Sequence, residues 1–229
     1  MVIETRNTDG TGRSEASVFE NLPEDKQRRI LGAAVDEFAE RGFGGASINR
    51  LVSRLGIAKG SIFQYFGSKQ GLFAYVFDRA SGLFADNLRQ VRDQSADEPF
   101  FDRLHRVLEA GVAFIDANPR VYRIYLKMLY DESMPGRDLF LGRARAYSAK
   151  FLRPMVERAA ERGELRPDLD PDFAAFLLDA AMDRFLQACV VEEMDGGLNL
   201  RDPAERAKRL RELTNCLRRG LGAPQGETP

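Results

Sequence analysis

The chain has 229 residues, 44% of them hydrophobic and 30% charged, with a formal net charge of −1. That length accommodates one large domain, or a small one with a medium one, around a buried core. No apolar run approaches the roughly 18–20 residues that a bilayer crossing needs. The first residues lack the basic start and apolar stretch of a secretory leader. Cys189 and Cys216 show no metal-ligand spacing. The expectation is a cytoplasmic protein with no membrane association and two buried thiols.

In chain order, residues 1–20 are polar and aperiodic and read as a disordered tail, in which Arg6 and Arg13 are idle solvated charges. From Pro23 the pattern turns helical. Pro23 suits a first helical turn, with Glu24 and Asp25 where the helix dipole favours acids. Ile30, Ala34 and Phe38 recur at four-residue steps before Gly42 stops the helix. Ser47 caps a second helix with Ile48, Leu51, Val52 and Leu55 on its apolar face, and Gly56 ends it. A third covers 58–66, and Ser68 caps a fourth through Leu88. Longer helices follow at about 98–117, 119–131, 136–162, 171–194 and 203–220, punctuated by Gly and Asp-Pro signals. Pro154 should kink the third of these if it is continuous. Nothing alternates with period two, so an all-α chain of about nine helices is expected. It divides into a segment of short helices at 21–70, a body of longer helices at 71–222, and a disordered end at 223–229.

Charge is unevenly spread. Between Glu40 and Asp78 lie 37 residues without an acid, yet with Arg41, Arg50, Arg54, Lys59 and Lys69. At the chain's average that gap would hold about five or six acids, so this segment carries a local positive field suited to phosphates. Three short helices with a tight turn between the second and third describe a helix-turn-helix. Gly56 supplies the positive φ of the turn, and Ile57 plugs the space between the helices. The third helix is then the reader, its N-terminal residues aimed at major-groove base edges. Ser47 offers a hydroxyl and free N–H groups to a phosphate. Arg50 is either solvated or bound to phosphate. Lys59 belongs to the positive field, and Gly60 lets the backbone approach DNA closely. Ser61, Gln64 and Tyr65 are the polar groups expected on the reader's exposed face, and Lys69 the anchor for a flanking phosphate.

Phe38-Ala-Glu-Arg-Gly-Phe43, Ser47-Ile48, Leu51-Val52, Leu55-Gly56-Ile57 and Gly60-Ser61-Ile62-Phe63-Gln64-Tyr65-Phe66, closed by Ser68-Lys69, resemble the DNA-binding domain of the TetR family of transcriptional regulators. The resemblance covers residues 28–73. It implies a repressor that binds double-stranded DNA as a homodimer at a pseudo-palindrome and is released by a small apolar or amphipathic ligand. Control by a protein partner, or without a ligand, is the alternative reading. Three positions depart from the family pattern. Ala58 stands where Ser or Thr is common, Phe63 where Tyr usually touches the DNA backbone, and Leu55 where a small residue is usual. Phe63 is therefore assigned to packing, leaving Tyr65 as the reader's phenol.

The last two long helices read as a dimerisation element. Leu210, Leu213 and Leu217 repeat at three- and four-residue steps opposite a basic face, and the preceding helix, with Leu177 and Ala181, is apolar on more than one side. Phe114, Tyr122, Tyr125, Met128, Met155 and Met182 are candidate pocket walls, or plain core. Asp179 and Asp183, like Arg123 and Lys127, are solvent-facing, dimer salt bridges, or polar anchors of a pocket. An enzyme is disfavoured. His105, the single histidine, sits between arginines and is expected to be exposed, and there is no nucleophile motif, phosphate loop or metal cluster. No cofactor is expected.

Overall fold

The computed structural model describes residues 18–132 and 134–224. Among these residues nine α-helices of eight residues or more follow one another, with no strand. They are α1 (Glu24–Gly45), α2 (Ile48–Leu55), α3 (Lys59–Phe66), α4 (Lys69–Gln94), α5 (Phe100–Ala117), α6 (Pro119–Tyr130), α7 (Arg137–Glu161), α8 (Pro171–Ala188) and α9 (Pro203–Leu221). The expected all-α fold with an N-terminal helix-turn-helix is the one observed. No helix of the described residues is long and apolar enough to cross a membrane.

Local chemistry explains the boundaries. Gly42, at φ 67°, interrupts α1 in a conformation that only glycine adopts freely. Asp170 caps α8 by accepting the Phe173 N–H at 2.8 Å, and Asp202 caps α9 through Ala204 and Glu205 at 3.0 and 2.9 Å. Each cap precedes a proline at the first helical position, where its missing N–H costs nothing. The helix expected over 171–194 stops instead at Ala188, and a separate 3-10 turn covers Glu192–Met194. There Asp195 accepts the Gly197 and Leu200 N–H groups at 2.7 and 3.3 Å, which turns the chain back rather than onward. Pro154 lies inside α7, which continues through it.

The chain forms two compact units. The first comprises the described residues through Ser81 together with Arg120–Arg137. Its core is aromatic. Phe38 meets Phe73 edge-on at 5.0 Å, and Phe19 packs on Phe66 at 4.8 Å and Tyr75 at 5.3 Å. Phe19 corrects the expected tail: residues 18–20 are helical and its side chain is fully buried. Arg6 and Arg13 lie outside the described residues. So does most of the expected C-terminal tail, whose Ala223 donates to the Glu164 carbonyl at 3.0 Å.

The second unit comprises Gly82–Pro119 and the described residues from Asp138 onward. Here α9 runs antiparallel to α5 and is fastened along its length. Arg206 pairs with Asp116 at one end and Arg218 with Asp102 at the other, both within 2.6 Å, while His105 Nδ1 meets Thr214 Oγ1 at 3.1 Å between them. Two expectations are corrected by this packing. His105 is half-buried rather than exposed. Leu210 and Leu217 are buried within the chain, and Leu217 belongs to a core against which Leu213 packs partly. The leucine stripe closes this unit, because a three-four repeat reports only that a face is buried and not what buries it. Cys189 is buried as expected, but Cys216 is exposed on α9.

Candidate nucleic-acid interface

The helix-turn-helix is built from α2 and α3. Gly56 ends α2 in the left-handed conformation, φ 67° and ψ 33°. The chain then turns through Ile57, whose N–H returns to the Val52 carbonyl at 3.2 Å. Ser47 caps α2 by accepting the Arg50 N–H at 3.4 Å. Ala58 gives α3 no side-chain cap, so the first N–H groups of the reader are left for another acceptor.

Position along α3 separates core from surface. Ile62, Tyr65 and Phe66, at three- and four-residue steps, are buried, whereas Lys59, Gly60, Phe63 and Gln64 form the exposed face and Ser61 is half-buried. Tyr65 and Phe63 thus reverse their expected roles. Tyr65, expected to point outward, is 6% exposed and packs on Phe19 at 5.9 Å. Phe63, assigned to packing, is 40% exposed with the Lys59 ammonium 5.8 Å from its ring centre. Side-chain polarity suggested one orientation, and helical period imposes the other.

A buried carboxylate organises this face. Glu37 of α1 accepts the Ser47 N–H at 2.9 Å and the Arg50 Nε at 3.0 Å, with Arg41 4.0 Å away. Burial pushes its pKa up, but hydrogen bonds from Arg50 and Ser47 and the charges of Arg50 and Arg41 outweigh this, so the group stays below its ordinary value. Arg50 also reaches the Gly45 carbonyl at 2.8 Å. Lys69, expected to face a phosphate, donates to the Phe43 and Ala46 carbonyls at 2.9 and 3.2 Å and lies 4.5 Å from the Phe43 ring centre. It fastens the start of α4 to the end of α1. Glu37 was not singled out in the sequence. Its signal was an acid in register with the apolar positions Ile30, Ala33 and Ala34. Asp36 likewise joins two helices, pairing with Arg54 of α2 and Arg120 of α6.

The candidate ligand and dimer residues are distributed as follows. Tyr122 and Met128 are buried and Tyr125 half-buried in the first unit, with the two tyrosine rings 5.7 Å apart. Phe114 and Met155 are buried in the second, where Met182 packs partly against the main core. Asp179 and Asp183 clamp Arg145 of α7 at 2.8 and 2.7 Å; Gln187 supports Asp183 at 3.0 Å. Arg123 is exposed and Lys127 half-buried. On α8, Leu177 and Ala181 are half-buried, whereas Phe173 and Phe176 stand 56% and 66% exposed, with ring centres 6.3 Å apart.

Comparison with known proteins meets this geometry. Residues 30–76 match the family model for bacterial regulatory proteins of the tetR family. A crystal structure of a TetR family transcriptional regulator from Chloroflexus aurantiacus is 31% identical, with TM-score 0.67, and the match covers 90% of this chain and 97% of that one. The transcriptional activator FasR of Mycolicibacterium smegmatis is 30% identical over 110 residues, 48% of this chain and 49% of its own. The regulator FadR of Bacillus subtilis, solved in complex with stearoyl-CoA, is 18% identical with TM-score 0.69, covering 84% of this chain and 97% of that one. The helix-turn-helix, the all-α body and the near full-length relative agree: the chain belongs to the TetR family of transcriptional regulators.

Proposed function

We propose that this regulator binds a pseudo-palindromic operator as a homodimer, acts as a cytoplasmic repressor, and is released by a small apolar or amphipathic effector. The observation that carries the DNA-binding reading is the outer face of α3. It presents Lys59, Gly60, Phe63 and Gln64 together, within 37 residues that contain no acid. Lys59 and the uncapped N–H groups at the start of α3 take a phosphate, and Gly60 lets the backbone close on it. Gln64 reads a base edge, its amide matching adenine. Ser47, Arg50 and Ser61 flank the same face, while Lys69 supports it from behind through its bonds to Phe43 and Ala46.

Repression needs only occupancy of a promoter, with no further surface. FasR is an activator, so a reporter assay decides the sign. The effector class is supported by the stearoyl-CoA complex of FadR and by the large apolar side chains of the body. An effector would act by preferring the subunit arrangement that DNA does not, and its effect is bounded by that difference in affinity.

The test is selection of duplexes from a random library, followed by titration across salt. Two half-sites related by a twofold axis are expected, centred about one helical turn or a multiple of it apart. Affinity should fall about 10³-fold or more between 50 and 200 mM salt if six or more phosphates are neutralised. Equal affinity for selected and random DNA would overturn the reading.

A further inference from the structure

Arg103, on α5, is 5% exposed, yet its Nε has no hydrogen-bond partner. Its Nη2 reaches the Arg92 carbonyl at only 3.4 Å. A guanidinium carries five donors in a fixed fork, and a buried charge with donors left unpaired is strongly unfavourable. Three more arginines stand close enough to act on it: Arg92 of α4, and Arg158 and Arg162 at the end of α7 and just beyond. Burial first, and then the like charge of these three, hold the Arg103 pKa below its ordinary value, with Glu164 opposing.

The acids nearby are largely committed. Glu164 accepts the Phe100 N–H with one oxygen and lies 3.9 Å from Arg162 with the other. Glu98 pairs with Arg106 and Asp93 with Arg92, both at 2.8 Å. Arg158 has no ion pair among the described residues. Arg103, Arg158, Arg162, Glu98 and Glu164 line a single cleft. It is a cleft with excess positive charge and an unsatisfied guanidinium at its base.

We propose that Arg103, Arg158 and Arg162 form a binding site for a phosphate-type oxyanion, either inorganic phosphate or the phosphate group of a larger metabolite. Guanidinium forks match phosphate oxygens in pairs. A phosphate dianion also balances more of the surplus charge than a monocarboxylate does. The cleft as it stands is too narrow for a water-sized guest. Arg158 and Arg162 are exposed, and exposed side chains change rotamer in picoseconds to nanoseconds. The anion therefore enters as these two arms swing aside and close over it, with Arg103 beneath. The site lies wholly in the second unit and does not depend on the DNA-binding reading.

The test is calorimetric titration of the full chain with inorganic phosphate and with glycerol phosphate, at constant ionic strength set by chloride. Saturable binding is expected at millimolar concentrations. It should weaken about tenfold or more in Arg158→Gln/Arg162→Gln, since the charge-assisted bonds of two guanidinium groups to the anion are lost. Arg103→Met should weaken it as well, and the exposed double variant keeps the test decisive if that buried change prevents folding. Tighter binding of glycerol phosphate identifies a metabolite phosphate, and tighter binding of inorganic phosphate the free ion; either supports the site. No saturable heat with either ligand, or unchanged binding in the double variant, would overturn it.

Discussion

The Glu37 carboxylate accepts the backbone N–H of Ser47 at 2.9 Å, so a side chain of α1 fixes where α2 begins. The same oxygen receives Arg50, one turn into α2. Replacing Glu37 by Gln removes the charge that holds Arg50, and replacing it by Ala also leaves the Ser47 N–H without its acceptor. Glu37→Ala should lose about 1–3 kcal/mol in urea unfolding, towards the lower end because Arg50 is half exposed, and Glu37→Gln less. Equal stability of wild type and Glu37→Ala would show that Ser47 alone defines the start of α2.

The sign of the pH dependence follows from the same group. Its folded pKa lies below the ordinary value of 4.5, so its contribution is fully present above the unfolded pKa. That contribution is lost as pH falls through the lower, folded value. The stability gap between wild type and Glu37→Gln should be constant near neutrality and close only below about pH 4.5. A gap that widened on acidification would contradict the assignment.

Ala58 leaves α3 without a side-chain cap. Ala58→Ser should raise stability by roughly 0.5–2 kcal/mol, read as a higher urea midpoint with unchanged m. An unchanged or lower midpoint would mean that the start of α3 is already satisfied by another group.

The reader gives a sharper contrast. Tyr65→Phe alters a buried residue and should leave operator affinity within about twofold, whereas Gln64→Ala should cost about 1–3 kcal/mol on the selected site and little on random DNA. Phe63→Ala tests whether the exposed ring meets a thymine methyl, with loss confined to sites bearing thymine there. Anisotropy titrations separate these outcomes, and a large loss in Tyr65→Phe would restore the phenol as a contact.

The helices were legible because their punctuation is local: Ser47, Gly56, Asp170-Pro171 and Asp202-Pro203 act within one turn of themselves. What escaped was direction. Tyr65 and Phe63 lie two residues apart, on opposite sides of α3, and polarity misassigned both where the stripe Ile62–Tyr65–Phe66 decides. Lys69 and Arg50 stood in a segment that reads as positive. Their partners include the carbonyls of Phe43, Ala46 and Gly45, which composition does not reveal. Leu210 and Leu217 read as an apolar stripe, but both are buried within the chain, Leu217 in a core shared with α5, α7 and α8, and no one-dimensional period names a partner.

With those leucines buried, the proposed homodimer needs a different seam. Leu210→Ala should now behave as a core truncation, costing roughly 2–5 kcal/mol of stability without changing the dimer constant directly. The large apolar side chains of α8 left exposed are Phe173 and Phe176. Two adjacent phenylalanines facing water are a feature that a second copy of the chain would bury, and aromatic anchors dominate such interfaces. Phe176→Arg should therefore shift the chain from dimer to monomer in sedimentation velocity while leaving its helical circular dichroism intact. Operator affinity should fall with it, because a single reader engages only one half-site. A Phe176→Arg chain that remained dimeric and bound the operator normally would place the seam elsewhere, and would leave the exposed pair without a partner of its own kind.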